Sequence, residues 1–115
     1  NGNMERDFTY IDDIITGTVS ILDSCKQDTN ENFSKVYNIG NNKPENLLNF
    51  IALIEKSLGK KAIKIMKPLQ KGDVTNTYAD ISEEIKADFN FTPRTKLIEG
   101  VPKFIEWFKN YHNFN

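Results

Sequence analysis

Cysteine and histidine are almost absent from this chain of 115 residues, which has one of each. The single cysteine, Cys25, cannot form a disulfide within the chain. The single histidine, His112, has no cysteine or histidine partner at a spacing typical of metal ligands. The sequence therefore predicts neither a disulfide framework nor a metal centre.

Charge of one sign and long apolar runs are also lacking. The 15 basic and 16 acidic residues nearly cancel, and no basic block is long enough to follow a nucleic-acid backbone. No apolar run approaches the ~18 residues of a membrane span, and no charged-then-apolar start resembles a signal peptide. We expect one domain over residues 1–115, located in the cytoplasm, with neither nucleic acid nor membrane as partner.

The hydrophobic pattern predicts alternating strands and helices. Residues 6–11 alternate in polarity as a strand does. Asp12 and Asp13 offer an N-cap to a helix whose apolar surface is broader than one core-facing stripe. Asn46 and Gly59 are placed to begin and end a second helix. Further strands are predicted at residues 36–39 and 62–66, a short extended piece at residues 77–80, a loop at residues 27–34, and helices from Asp80 and from Thr95. The fold class predicted is α/β, with short strands and about four helices.

No catalytic group is evident from the residues alone. The chain offers no nucleophile beside a base and no phosphate-binding glycine loop. Its unusual features are Arg6, one of only two arginines, and the run Gln70, Lys71, Gly72, Asp73. Arginine suits bidentate phosphate binding, and a loop glycine lets the backbone approach a ligand. Two alternatives stay open, a simple ion pair of Arg6 with Asp7 or Asp12 and a turn at Gly72 that only connects elements.

Three sequence strings occur in a fixed order along the chain. They are RDFTYIDDI at residues 6–14, VYNIG at residues 36–40 and PLQKGDVTNTYAD at residues 68–80. With them, the chain resembles the C-terminal part of UDP-glucuronate 4-epimerases, within the extended short-chain dehydrogenase/reductase family of nucleotide-sugar epimerases and dehydratases. The likeness runs through EWFKNY at residues 106–111.

This resemblance implies a substrate-binding portion without the Rossmann part that binds NAD. The family's glycine-rich loop and Tyr-x-x-x-Lys pair are not found in these 115 residues. The resemblance thus implies that NAD serves the full-length enzyme, that this fragment binds no cofactor and is inactive alone, and that residues 1–40 pack on the Rossmann domain. Self-association or a homo-oligomer is expected as well, because the first helix is apolar on more than one side.

The resemblance also assigns the substrate-binding residues. It implies that Arg6 binds the UDP pyrophosphate and that Asp73 accepts hydrogen bonds from the ribose hydroxyls. Gln70 departs from many relatives, which have a second phosphate-binding arginine there, and agrees with the glucuronate epimerases. Lys71 is a flexible positive charge that compensates in part.

The activity implied is interconversion of UDP-glucuronate and UDP-galacturonate through a 4-keto intermediate. Two alternatives within the family are another UDP-hexose or UDP-N-acetylhexosamine 4-epimerase and a nucleotide-sugar 4,6-dehydratase. A third, from a different class, is a binding or dimerisation module without catalysis.

Overall fold

Four helices and one two-stranded sheet form the described part of the chain. The structure is a computed structural model that describes residues 2–25, 35–81 and 83–114, with the main chain alone for Cys25 and Glu84. Its elements are β1 (Glu5–Asp7), α1 (Ile11–Cys25), β2 (Pro44–Asn46), α2 (Leu47–Leu58), α3 (Glu83–Phe89) and α4 (Leu97–His112). The predicted α/β class and helix number are confirmed, whereas the loop predicted at residues 27–34 lies outside the described residues.

The sheet is smaller than the sequence pattern predicted. β1 pairs with β2 in antiparallel register, with Arg6 opposite Glu45, and Glu5 forms a single parallel bridge with Asn76. The strands predicted at residues 36–39 and 62–66 are wrong, since these parts of the described chain join no sheet. Ile63 is 95% exposed, so the apolar side chain of this alternating stretch does not pack on an apolar surface of the described chain.

Helix α2 begins and ends where the sequence predicted. The Asn46 side-chain oxygen accepts hydrogen bonds from the amides of Leu48, at 2.9 Å, and Asn49, at 3.4 Å, which satisfies two donors of the first turn. Gly59 ends the helix in the left-handed conformation, and the Lys60 amide donates to the Glu55 carbonyl oxygen. The helix packs against α4, and both caps confirm the prediction.

The start of α1 differs from the prediction. The helix begins at Ile11, so Asp13 lies in its first turn and is not an N-cap. The Asp13 carboxylate is buried and accepts the amides of Arg94, at 3.2 Å, and Thr95, at 2.9 Å, immediately before α4. A buried carboxylate requires such donors, and here they come from the far end of the chain. Asp13 therefore joins the start of α1 to the start of α4.

The buried core is small and lies between α1 and α3. Ile81, Ile85 and Phe91 form it, with Ile21 and Ile39 packed against them. Ile81 and Ile85 are buried, and Phe89 is partly buried against them. On α4, Val101 and Ile105 are also buried, and Pro102 is accommodated within the first turns of the helix.

A second apolar surface of α1 faces away from this core. Its members, which we call the α1 outer face, are each between 48% and 58% exposed and recur at helical spacing: Ile11, Ile15, Val19 and Leu22. The broad apolar surface expected for this helix is thus present, with Ile21 inside and the outer face in solvent. Among the described residues, no helix has both the length and the apolar character needed to cross a membrane.

Candidate functional site

Arg6 lies in the middle of β1 with its guanidinium group turned toward residues 73–75. One terminal nitrogen, Nη1, donates to the carbonyl oxygens of Glu5 and Thr75, each at 2.9 Å. The other, Nη2, donates to the Val74 carbonyl oxygen at 2.7 Å and to the Asp73 carboxylate at 3.2 Å. The planar fork of arginine makes this set of bonds possible, and a lysine ammonium could not reproduce its geometry.

Asp73 closes the turn that the sequence singled out. Its amide donates to the Gln70 carbonyl oxygen at 3.2 Å, and its carboxylate accepts the Val74 amide at 3.0 Å. Gly72 has a φ of +88° within this turn, a conformation that disfavours other residue types. The Gln70 and Lys71 residues are exposed. The turn therefore presents an amide, an ammonium and a carboxylate in four consecutive residues.

Two of the three predicted site residues are in direct contact. Arg6 and Asp73 form an ion pair, with their side chains 24% and 43% exposed, and Gln70 lies at the start of the same turn. The alternative pairing of Arg6 with Asp7 or Asp12 is wrong, because its carboxylate partner is Asp73. The structure thus brings a cation and a carboxylate 67 positions apart to one solvent-accessible place.

The residues beside Arg6, which sequence reasoning missed, bind the same segment. The Glu5 amide donates to the Thr75 carbonyl oxygen at 2.9 Å, and the Glu5 carbonyl oxygen accepts the Thr77 amide at 3.2 Å. The Glu5 carboxylate also accepts the Asn76 side-chain amide at 3.2 Å. Polarity alternation in the RDF run was the available signal, but it does not reveal which part of the chain the strand contacts.

Asp7 makes contacts on the opposite side of β1 from Arg6. One carboxylate oxygen, Oδ2, accepts the amides of Asn42 and Ala79, each at 2.9 Å. The other, Oδ1, is buried with no hydrogen-bond partner among the described residues. Gly40 packs beside this carboxylate and against Ala79. Gly40, the last residue of the VYNIG string, was the signal in the sequence for this close approach.

Glu55 forms a separate electrostatic cluster at the end of α2. Its carboxylate accepts hydrogen bonds from Lys64 at 2.7 Å, Lys61 at 2.9 Å and the Ala62 amide at 3.0 Å. These donors, Lys64 foremost, lower the pKa of Glu55 to about 2. The cluster ties residues 61–64 to α2 and lies on a different part of the chain from the Arg6–Asp73 pair.

The starts of helices α1 and α2 do not offer an open site for the pyrophosphate of a dinucleotide cofactor. The first turn of α1 carries Asp12 and Asp13, which would repel a pyrophosphate, and the first amides of α2 are already bound by Asn46. Nor do the described residues contain a group of three or more histidine, cysteine, aspartate or glutamate side chains placed to hold a metal ion.

Known proteins similar to this chain include nucleotide-sugar epimerases. The chain is 41% identical to protein CapI of Staphylococcus aureus, with 97% of the chain and 37% of CapI covered. It is 38% identical to UDP-glucuronate 4-epimerase 6 of Arabidopsis thaliana, with 97% of the chain and 26% of that protein covered. It therefore spans well under half the length of these relatives.

The fold of this chain is also similar to part of a solved epimerase structure. UDP-glucuronic acid 4-epimerase of Bacillus cereus, in complex with UDP-glucuronic acid and NAD, matches with a TM-score of 0.79 and 32% identity. The match covers 96% of this chain and 34% of the Bacillus enzyme. No protein-family model matches the chain. From the relatives and this structure together, the chain belongs to the extended short-chain dehydrogenase/reductase family of nucleotide-sugar epimerases, and it corresponds to a C-terminal part of them.

Proposed function

We propose that this chain is the UDP-sugar-binding portion of an NAD-dependent UDP-glucuronate 4-epimerase, which interconverts UDP-glucuronate and UDP-galacturonate through a 4-keto intermediate. The observation that carries the proposal is the direct contact between Arg6 and Asp73 beside the Gln70 turn. The similarity to UDP-glucuronate 4-epimerases supports the choice of substrate.

The pairing of a cation with a carboxylate matches the chemistry of a nucleoside diphosphate. Ribose carries two neighbouring hydroxyl groups, and its 5′ position carries the pyrophosphate, so a ligand of this class presents donors close to a strong anion. The Arg6 guanidinium is the group to bind the pyrophosphate, and the Asp73 carboxylate is the acceptor for the ribose diol. Gln70 adds a neutral donor, and Lys71 adds a mobile positive charge.

The contribution of these residues is to hold the nucleotide while the sugar reacts. Binding energy from the UDP group, which does not react, is available to keep a sugar ring in the site as it turns between two orientations. In this proposal the chemistry belongs to residues outside this chain, because neither the family's glycine-rich loop nor its Tyr-x-x-x-Lys pair occurs in these 115 residues. The isolated chain is thus proposed to be inactive and to bind no NAD.

The α1 outer face suits a further role in the longer protein. Four aliphatic side chains on it are about half exposed, which is an unusual surface for a helix that borders solvent. In our proposal, residues 1–40 pack through this face on the cofactor-binding domain. In a chain without that domain, the same face would favour self-association.

Arg6→Ala provides the sharpest test of the binding role. We expect UDP affinity, measured by titration calorimetry, to fall by about 1.5 to 3 kcal/mol, the cost of losing a hydrogen bond to a charged group. Arg94→Ala is the matched control, because it removes the only other arginine while preserving the backbone amide that binds Asp13. An unchanged UDP dissociation constant in Arg6→Ala would exclude Arg6 from the site.

A second experiment tests the substrate. The full-length protein is assayed with UDP-glucuronate, UDP-glucose, UDP-N-acetylglucosamine and dTDP-glucose, and the products are separated by chromatography. We expect conversion of UDP-glucuronate to UDP-galacturonate to have the highest kcat/KM. Preference for another of these nucleotides, or loss of water in place of epimerisation, would contradict the proposed substrate.

A further inference from the structure

Residues 73–79 carry part of the binding site but have little packing of their own. Every residue from position 73 to 78 is exposed, and Ala79 is only partly buried. Their contacts to β1 come from three consecutive residues, namely the Glu5 backbone and carboxylate, the Arg6 guanidinium and the Asp7 carboxylate. The position of Asp73 therefore depends on hydrogen bonds and not on a buried apolar anchor.

Arg6 and Asp7 attach to this segment from opposite sides. Successive side chains of a strand point in opposite directions, so a ligand that engages the Arg6 guanidinium leaves the Asp7 carboxylate in place. When Arg6 binds an anion, some of its donors leave the carbonyl oxygens of Val74 and Thr75. The Glu5 backbone and the bond from Ala79 to Asp7 then hold the segment.

Asp7 also connects this segment to the turn after residue 39. Its Oδ2 atom binds the amides of Asn42 and Ala79, which are 35 and 72 positions away. Gly40 allows this close approach, because a Cβ at position 40 would clash with the Ala79 Cβ. Any other residue type at this position would therefore force Ala79 or the backbone of residue 40 to move.

We infer that Asp7 is a positioning residue of the nucleotide site, which holds residues 73–79 so that Asp73 faces the ribose. The inference rests on the proposed function for the identity of the ligand. Asp7 itself touches no ligand in this arrangement and acts through Asp73. Its role is to accept two backbone hydrogen bonds, so an amide oxygen at the same position replaces it in part.

The first test compares Asp7→Leu with Asp7→Asn in the full-length protein. Asp7→Leu removes the acceptor, and we expect UDP affinity to fall about tenfold or more, while Asp7→Asn stays within about threefold of wild type. Asp12→Leu makes the same change at an exposed carboxylate of α1 and leaves affinity unchanged. Equal UDP affinity in Asp7→Leu and wild type would overturn the inference.

A double-mutant cycle separates positioning from general damage. If Asp7 acts through Asp73, Asp7→Leu changes UDP affinity by less than twofold when Asp73→Asn is already present. A structural defect spread over the whole chain would cause the same fold-loss in both backgrounds, and that result would overturn the inference. Absence of UDP binding by the wild-type protein would instead contradict the proposed function.

Amide hydrogen exchange gives a readout that needs no ligand. In Asp7→Leu the amides of Asn42, Thr77 and Ala79 should exchange faster, with the amides of α2 unchanged. Gly40→Ala keeps the carboxylate but pushes Ala79 away, so it should give the same exchange pattern and the same loss of UDP affinity, also where Asp7→Leu fails to fold. Wild-type exchange at Ala79 in both variants would refute the positioning role.

Discussion

Asp73→Asn should move the affinities for two related ligands in opposite directions. The substitution keeps the size of the side chain and an oxygen that can accept the Val74 amide, but it removes the negative charge paired with Arg6. In the free protein that charge competes with any anion for the guanidinium group. Its removal should favour inorganic pyrophosphate, which has no ribose, and should weaken UDP, which needs the carboxylate for its diol.

The sizes of both effects follow from the geometry. The Arg6–Asp73 distance is 3.2 Å and both side chains are partly exposed, so the pair is worth about 0.2 to 1 kcal/mol. Pyrophosphate affinity should therefore rise by about 1.4- to 5-fold. For UDP, losing hydrogen bonds to a charged acceptor should reduce the binding free energy by about 1.5 to 3 kcal/mol. Release of Arg6 from its ion pair offsets part of this loss. UDP affinity should fall by between about twofold and a hundredfold.

Titration calorimetry with UDP and with pyrophosphate, at one fixed salt concentration, measures both changes. Asp12→Asn serves as the control, because it removes one negative charge from an exposed position outside the pair. An equal fall in affinity for the two ligands would indicate collapse of the Gly72 turn and would refute the reasoning. Unchanged affinity for both would remove Asp73 from the site.

Three further predictions concern stability and association. Because the pKa of Glu55 is lowered to about 2 from an ordinary value of 4.5, its ionised form stabilises the fold above pH 4.5, and this contribution is lost as the pH falls toward 2. Glu55→Gln should therefore unfold at lower denaturant concentration than wild type at pH 7, and the difference should shrink at pH 3; an equal difference at both pH values would count against the ion cluster. Asn46→Ala should lower the free energy of unfolding by about 1 kcal/mol through loss of the α2 cap, with Asn46→Asp near wild type in thermal melts by circular dichroism. The 115-residue chain should self-associate through the α1 outer face, so that its light-scattering mass rises with concentration and Ile15→Lys reduces that rise; a constant monomer mass for the wild-type chain would disprove this.

The features predicted correctly from sequence depend on neighbouring residues or on matched strings. The Asn46 cap and the Gly59 stop are local, since each acts on backbone groups within five positions, and both are present. Arg6 and the turn of Asp73 are unusual features of the sequence, and the resemblance assigns their roles. The structure shows that the two residues are in contact. Their ligand remains a prediction.

The features predicted wrongly depend on distant partners. Ile63 lies in a stretch whose polarity alternates as in a strand. Alternation gives the stretch one apolar face, but a strand also needs a neighbouring strand to pair with, and the alternation does not reveal whether one is present. From sequence, Asp7 is a candidate ion-pair partner of Arg6 and Asp13 a candidate N-cap, whereas their amide donors lie as far as 72 and 82 positions away. Such contacts leave no periodicity in the sequence, so inspection of local windows does not find them.

The buried carboxylate of Asp13 makes the C-terminal helix inseparable from the rest of the fold. If the chain were cut before Arg94, the charge would keep its place in the first turn of α1 but would lose both amide donors. Removing the partners of a buried charge commonly costs several kcal/mol, which is a large share of the stability of a domain of this size. The final helix is thus an obligatory part of the cooperative unit, and a shortened chain that ends at α3 would have to unfold or reorganise the beginning of α1.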